Sequence, residues 1–309
     1  MRIWEIAELC GYEFCGTDRD IRTLSFADTA SEDCLAIVHT QKEALGTRAG
    51  AILAEPRFLK TDKTVLFVSD SLEIAAVKVA GILAQSGEVR LYGRPVYKNV
   101  NGYFAASNVI IGEGTLISPG VFLDEDVRIG RRCVIEPNVQ IRGGCVIGDD
   151  VHILSGSVIG ADATCYYIDK GLMTFPGIGR AVLEDGVEIG CNTVIQRGTF
   201  SDTVVGKGSK IGNLVDIGHD VRIGSNCKIV SQTGVAGCAL IGDWVEIYGQ
   251  TGIANHVRIG DRAVIMAQSM VTKYVQAGEK VSGRFARKHS EELRRQVQIN
   301  RSYEVKKWE

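Results

Sequence analysis

The sequence predicts a mainly β protein: a parallel β-helix solenoid over residues 99–283, preceded by a small α/β unit (1–98) and followed by a C-terminal helical tail (284–309). Three observations predict it. In steps of six from Val205 to Val271, all twelve positions are Val or Ile. Four residues after each comes a small or β-branched residue, from Ser209 through Cys227, Thr233 and Ala239 to Val275. Gly directly follows the aliphatic residue in six of the twelve units: Gly206, Gly212, Gly218, Gly224, Gly242 and Gly260. A period of six matches neither a helix face nor a two-sided strand. It matches a solenoid with short flat sides, each pointing one aliphatic residue into a narrow core. The glycines are expected to serve tight turns at the corners.

Taken in order, residues 1–98 lack this period. Ile3–Leu9 and Leu72–Leu83 read as helices. Ile21–Phe26, Leu35–Val38, Ala51–Leu53 and Thr64–Val68 read as short strands. Arg94-Pro95 and Asn99–Gly102 form a linker. The hexad then begins, from Ile111 to Ile159 in steps of six with Leu at 123. It fails from Ala161 to about Ala181, where Tyr166, Tyr167, Lys170, Phe175 and Pro176 are too polar or aromatic for a thin core; 161–182 is therefore a loop thrown out from the coil. The repeat resumes at Leu183, Ile189 and Ile195. A ten-residue step to Val205 then marks a smaller bulge at Thr199–Thr203, and the long block runs to about Gln276. In 284–309, eight Lys or Arg stand against four Glu, and Ser290-Glu291-Glu292 is a helix start. The segment is either a solvated cap on the solenoid or a docking surface for an acidic partner.

The composition narrows the function. A length of 309 residues suggests two or three units, and a net charge of −2 gives no cue for nucleic acid or membrane. The start Met1-Arg2-Ile3-Trp4-Glu5 lacks the pattern of a signal peptide, and no apolar run is long enough to span a bilayer, so a cytoplasmic location is expected. The nine cysteines include no Cys-x-x-Cys, and Cys133, Cys145 and Cys227 fall on the small position of the hexad, which reads as structural. No phosphate-cradling loop or nucleic-acid module is present.

Three sides of six make a coil of eighteen, so residues eighteen apart stack on one face. His219, Gly237 and Asn255 are each two residues beyond a core aliphatic and form one outer column, with His256 beside its end. A neutral imidazole at His219 can take a proton from a hydroxyl or amine nucleophile. One coil away, the Gly237 N–H has no side chain in front of it and can donate to the oxyanion of a tetrahedral intermediate. His256 would orient an acyl donor. The pattern suits acyl transfer without a metal; the plainer reading is a surface histidine. A zinc site is the competing chemistry, but His39, His152 and His289 show no ligand spacing with the pair.

Asn213-Leu214-Val215-Asp216-Ile217-Gly218-His219-Asp220, Gly234-Val235-Ala236-Gly237 and Gly249-Gln250-Thr251-Gly252-Ile253-Ala254-Asn255-His256 resemble the UDP-3-O-acylglucosamine N-acyltransferases of lipid A biosynthesis, as do Asn192–Gly198, Ser201–Thr203 and Val281–Gly283. The resemblance implies a left-handed β-helix and a homotrimer with active sites between neighbours. In it His219 is the base, Gly237 N–H the oxyanion donor and His256 a second pocket residue, with Asn213, Asn255 and Gln250 in the acceptor and donor pocket. It also implies no bound cofactor. The donor would be a 3-hydroxyacyl thioester on the phosphopantetheine of acyl carrier protein, docked through Arg294 and Arg295, and the acceptor a sugar nucleotide with a free 2-amino group. Membrane contact would be at most peripheral, through the lipid product.

The chain departs from the family pattern at Gly212 and Gln196, where Asp is usual, at Asn255, where Gly is usual, and in the loop motif Ala161–Tyr166. The aromatic pair that holds the uracil ring is replaced, in a plausible register, by Ala36 and Lys42. The rivals are an acetyl-CoA-dependent amino-sugar N-acetyltransferase on the same solenoid and a non-catalytic scaffold.

Overall fold

The computed structural model describes residues 1–55, 61–89, 92, 95–168, 170–283, 291, 294–295 and 297–299. The N-terminal unit contains α1 (Ile3–Cys10), β1 (Glu13–Cys15), β2 (Thr23–Phe26), β3 (Cys34–Ile37), α2 (Gln41–Gly46), β4 (Ala51–Ala54), β5 (Thr64–Phe67) and α3 (Leu72–Gln85). The sheet order is β1-β5-β4-β3-β2, parallel except for the antiparallel edge strand β1. The periodicity found α1, α3 and β2–β5 but passed over α2, which is too short to show a stripe. Its signal was the capping box: Thr40 Oγ1 accepts from Glu43 N, and Glu43 Oε2 accepts from Thr40 N.

From Tyr103 the chain winds into a left-handed parallel β-helix of triangular section. Side one holds Asp216–Ile217, Gly234–Val235 and Gly252–Ile253; side two holds Arg222–Ile223, Leu240–Ile241 and Arg258–Ile259; side three holds Lys210–Ile211, Lys228–Ile229 and Glu246–Ile247. Each of these strands is only two residues long and pairs with the one eighteen residues on. The second residue of each pair is buried, as at Ile217, Ile247 and Ile253. One apolar column therefore runs through the coils, and each fully buried Val or Ile contributes about 1.5–3 kcal/mol. At the small position, Ser209 and Thr251 hydroxyls donate to the carbonyls of Gly224 (2.8 Å) and Tyr248 (2.6 Å). The Cys133 and Cys227 thiols make the same kind of contact with Gly148 O (3.1 Å) and Gly242 O (3.0 Å), a structural use of sulfur.

The glycines of the hexad answer to a different need from the one expected. Gly206 and Gly224 lack a left-handed φ; instead, a Cβ on Gly206 would lie 2.5 Å from the Gly224 carbonyl carbon of the next coil. Coil-to-coil approach requires them. The left-handed turn residue comes two positions later and is often not Gly, as at Asp220, Cys238, Trp244 and His256.

The excursion is shorter than 161–182: Ala161 and Ala181–Val182 stay in the coil, paired with Gln196 and with Thr203–Val204, and between them Tyr166–Ile168 and Leu172–Thr174 form an antiparallel hairpin. Gln196 holds its base: its side-chain oxygen accepts from Thr164 N (3.0 Å), and its amide donates to Asp216 Oδ1 (3.1 Å). Phe175 and Ile178 of this loop and Phe200 of the bulge pack into the core of the N-terminal unit. That unit thus leans on the edge between sides one and two, where Asp28 also pairs with Arg258 at 3.6 Å. Of the C-terminal helix, Glu291, Arg294, Arg295, Val297, Gln298 and Ile299 are helical and exposed, and the rest of 284–309 lies outside the described residues. Among the described residues no helix is long and apolar enough to cross a membrane.

Candidate active site

Side one ends in a corner at which two outer columns run along the prism. The first is His219, Gly237, Asn255, as the spacing predicts. The second, one residue on, is Asp220, Cys238, His256, all with left-handed φ of 58°, 61° and 58°. The stacking is tight: a Cβ on Gly237 would lie 2.4 Å from His219 Nε2, so only glycine leaves the imidazole its place. The Gly237 carbonyl accepts from His256 N at 3.1 Å, whereas its N–H makes no hydrogen bond among the described residues.

Asp220 orients the imidazole. Its Oδ2 accepts from His219 Nδ1 at 2.9 Å and from Thr199 N (2.8 Å) and Thr199 Oγ1 (2.5 Å). Its Oδ1 accepts from Phe200 N (3.2 Å) and Ser201 N (2.8 Å). Five donors thus saturate a carboxylate that is 4% exposed, which is how a buried anion is tolerated. The bulge at Thr199–Thr203 exists to wrap this group, and Thr203 Oγ1 accepts from Asp220 N in return (2.8 Å). With Nδ1 engaged, Nε2 is the ring atom turned to the cleft. Burial alone pushes the imidazole's pKa down; the bond to the Asp220 carboxylate, joined by contacts with the Cys165 and Cys238 thiols, outweighs it and lifts His219 well above its ordinary value.

A cleft of about 350 Å³ opens over this corner. Phe26, Ile37 and His39 of the N-terminal unit form one wall, and Cys165 and Phe175 of the extruded loop form another; the floor carries His219, Cys238, Asn255 and His256. Phe26, Phe200 and Phe175 stack edge to face in succession, with ring centroids 5.4 and 4.9 Å apart.

His219, Gly237, Asn255 and His256 therefore gather at one place. Asn213 and Gln250 do not: they sit on the edge between sides three and one. There Asn213 Oδ1 accepts from Cys191 N (2.8 Å), and Gln250 joins a ladder with Gln232 and Gln268. Six residues are one side of the prism, so Asn213 lies a full corner away from His219. Ala36 is likewise no substitute for a ring-stacking residue. It is fully buried in the core behind the sheet, because β3 alternates and presents Ile37 to the cleft. Lys42 is exposed on α2. Asp220 and Cys238 also belong to the corner, and steps of eighteen back from His256 pass through both. Cys165, Phe26 and His39 had no sequence signal, since they reach the cleft from other elements.

A family model described as bacterial transferase hexapeptide (six repeats) matches residues 126–161 and 202–237, the second stretch holding His219 and Gly237. These two stretches are similar to bacterial transferase hexapeptide repeats. The UDP-3-O-acylglucosamine N-acyltransferase of Rhizobium meliloti (strain 1021) is 57% identical over 67 residues, 22% of this chain and 19% of that protein. That of Agrobacterium fabrum is 53% identical over 68 residues, again 22% and 19%. The match thus spans about a fifth of the length of these curated relatives. Among solved structures, the UDP-N-acetylglucosamine acyltransferase of Campylobacter jejuni aligns with a TM-score of 0.54 at 19% identity, over 64% of this chain and 82% of that one. The one from Bacteroides fragilis gives 0.53 at 26% identity, over 64% and 78%. The hexapeptide chain resembles the UDP-3-O-acylglucosamine N-acyltransferases, and the Campylobacter structure shares its fold.

Proposed function

We propose that this protein is an N-acyltransferase of lipid A synthesis. It moves a 3-hydroxyacyl chain from the phosphopantetheine thioester of acyl carrier protein to the 2-amino group of a UDP-3-O-acylglucosamine-type sugar nucleotide. The observation that carries the reading is the unbonded Gly237 N–H beside an imidazole whose far nitrogen is anchored on Asp220. The named activities of the Rhizobium and Agrobacterium relatives support it.

In this reading His219 Nε2, once neutral, takes the proton of the attacking amine while a C–N bond forms at the thioester carbonyl. Gly237 N–H holds the resulting oxyanion. The C–S bond then breaks, and the imidazolium returns the proton to the departing thiolate. Asp220 fixes the tautomer and stabilises the charged ring. Phe26, Ile37 and Phe175 supply an apolar wall for the acyl chain. A three-fold assembly would make heterologous contacts, in which the Asn213–Gln250 edge of one copy would meet the His219 edge of the next and complete the pocket between neighbours. Arg294 and Arg295 are the residues for docking the acidic carrier, with a salt-sensitive contribution.

The test is mass spectrometry of products from a panel of UDP-amino sugars with carrier-bound 3-hydroxyacyl chains and with acetyl-CoA. Amide-linked 3-hydroxyacyl product on the 3-O-acylated amino sugar is expected. Exclusive use of acetyl-CoA, or no transfer from any donor, would overturn the assignment.

A further inference from the structure

Side two carries a pair of arginines that the chemistry at the corner does not use. Arg222, Leu240 and Arg258 stand in register on three neighbouring strands. They face outward, because the residue after each (Ile223, Ile241, Ile259) is buried. The two arginines are therefore two strand spacings apart, roughly 10 Å at the backbone. Arg48, just beyond α2, joins them from the N-terminal unit. With Leu240, Asp28 and Thr29 the three arginines line a cavity of about 330 Å³.

This cavity is cationic. Three guanidinium groups meet one carboxylate, Asp28, which pairs with Arg258 at 3.6 Å. Arg48 and Arg222 form no ion pair among the described residues. Arg222 Nε is buried and has no hydrogen-bond partner among them, and a buried donor left unpaired is costly. An anionic oxygen would remove that cost. The Thr29 hydroxyl is already committed to Ser201 at 2.7 Å, which leaves the arginines as the donors. No aromatic ring lines the cavity among the described residues, so it reads charge and not the face of a base. A second cavity of about 340 Å³ shares Asp28, Thr29, Leu240 and Arg258 with it, and Cys238 and His256 with the His219 cleft. The three form one run from the arginines to the reactive corner.

We propose that Arg48, Arg222 and Arg258 bind the diphosphate of a nucleotide-linked substrate and hold the acceptor with its sugar toward His219. Three positive groups against one negative match the two negative charges of a diphosphate diester. Guanidinium forks engage phosphate oxygens in pairs, and a diphosphate spans more of the distance between Arg222 and Arg258 than a single phosphate does. The diphosphate site is read from the cavity alone; only its assignment to the acceptor rests on the proposed acyl transfer.

The experiment is calorimetric titration of the full chain with UDP, ADP, inorganic pyrophosphate and uridine, at low and at raised salt. UDP and ADP should bind alike, pyrophosphate should compete with both, and uridine should not bind; raised salt should weaken every diphosphate. Arg222→Gln and Arg258→Gln should each weaken UDP and ADP about 10-fold, the order of one charge-assisted hydrogen bond, while thermal melting shows a folded chain. Arg128→Gln, on the same face four coils away, should leave both affinities unchanged. No diphosphate binding by the wild type, binding of UDP but not of ADP or pyrophosphate, or affinities that survive both Arg222→Gln and Arg258→Gln would overturn the site. In transfer assays Arg222→Gln should raise the KM of the sugar nucleotide about 10-fold and leave that of the donor thioester unchanged. A rise in the donor KM instead would give the diphosphate to a coenzyme thioester and overturn the acceptor assignment. Diphosphate binding without acyl transfer would count against the proposed activity alone; transfer with an unaltered acceptor KM in the arginine variants would count against this inference alone.

Discussion

Two edges of the same prism, built from the same repeat, are finished in opposite ways. On the edge between sides two and three, the N–H at the second residue beyond the core is capped by a side chain of the adjoining coil. Arg131 N donates to Asp149 Oδ1, Ser225 N to Asp243 Oδ1 and Asp243 N to Asp261 Oδ1, at 2.7–2.9 Å. On the edge between sides one and two, the equivalent residues are His219, Gly237 and Asn255. Glycine offers no cap to His219, and Asn255 gives none to Gly237. A corner that lacks its ladder of carboxylates leaves the Gly237 N–H without a hydrogen-bond partner among the described residues. In the proposed function, the site is a structural corner with its cap removed and an imidazole put beside the gap.

The largest expected effect comes from breaking the functional edge at its base. His219→Ala should cut acyl transfer by about 10³-fold, within the usual range for a general base, while thermal melting shows a folded chain; an unchanged turnover number would remove His219 from the chemistry. Next is Gly237→Ser, which puts a side chain back where the structural edge has one. Its Cβ would crowd Nε2, and a fall of about 10²-fold or more in kcat is expected. Equal turnover by wild type and variant would mean that the bare corner is incidental.

Asp220→Asn sharpens the comparison through pH. Because Asp220 lifts the pKa of His219, the wild-type ring must lose a proton before acting as base, so kcat/KM should rise with pH above neutrality. In the variant that rise should move toward acid and end on a lower plateau. Stability carries the matching sign. A raised folded-state value means the contribution is complete below the ordinary imidazole value of 6.5 and is lost as pH rises through the folded value. Denaturant titrations at several pH values should show wild type weakening from about pH 6.5 upward and the variant much less so. The smallest effect is on the other edge. Asp243→Ala should cost about 1 kcal/mol for the lost cap of Ser225 N and leave turnover unchanged.

Much of this was legible in the residues. The six-residue period gave the solenoid, its interruption gave the extruded loop, and the ten-residue step gave the bulge at Thr199–Thr203. The eighteen-residue step placed His219 over Gly237. The same step back from His256 passes through Cys238 and Asp220. Within one chain Asn213 lies one corner removed from His219, and strand alternation turns Ala36 away from the cleft. The glycines of the hexad were taken as turn formers, because a sequence does not show how close the next coil lies.

The sequence by itself determined the coil, because a thin core needs one aliphatic residue per side and each coil repeats the demand. It also determined which residues stack, since stacking in a solenoid follows from counting. Tertiary structure alone decided what the corner faces. Phe26, Ile37 and His39 from the N-terminal unit and Cys165 from the loop line one cleft with His219 at no fixed spacing, an arrangement made when the bulge and loop bury Phe200 and Phe175 in a separate core. Local repetition fixes neighbours along the axis; only the packing of distant apolar surfaces fixes what closes over them.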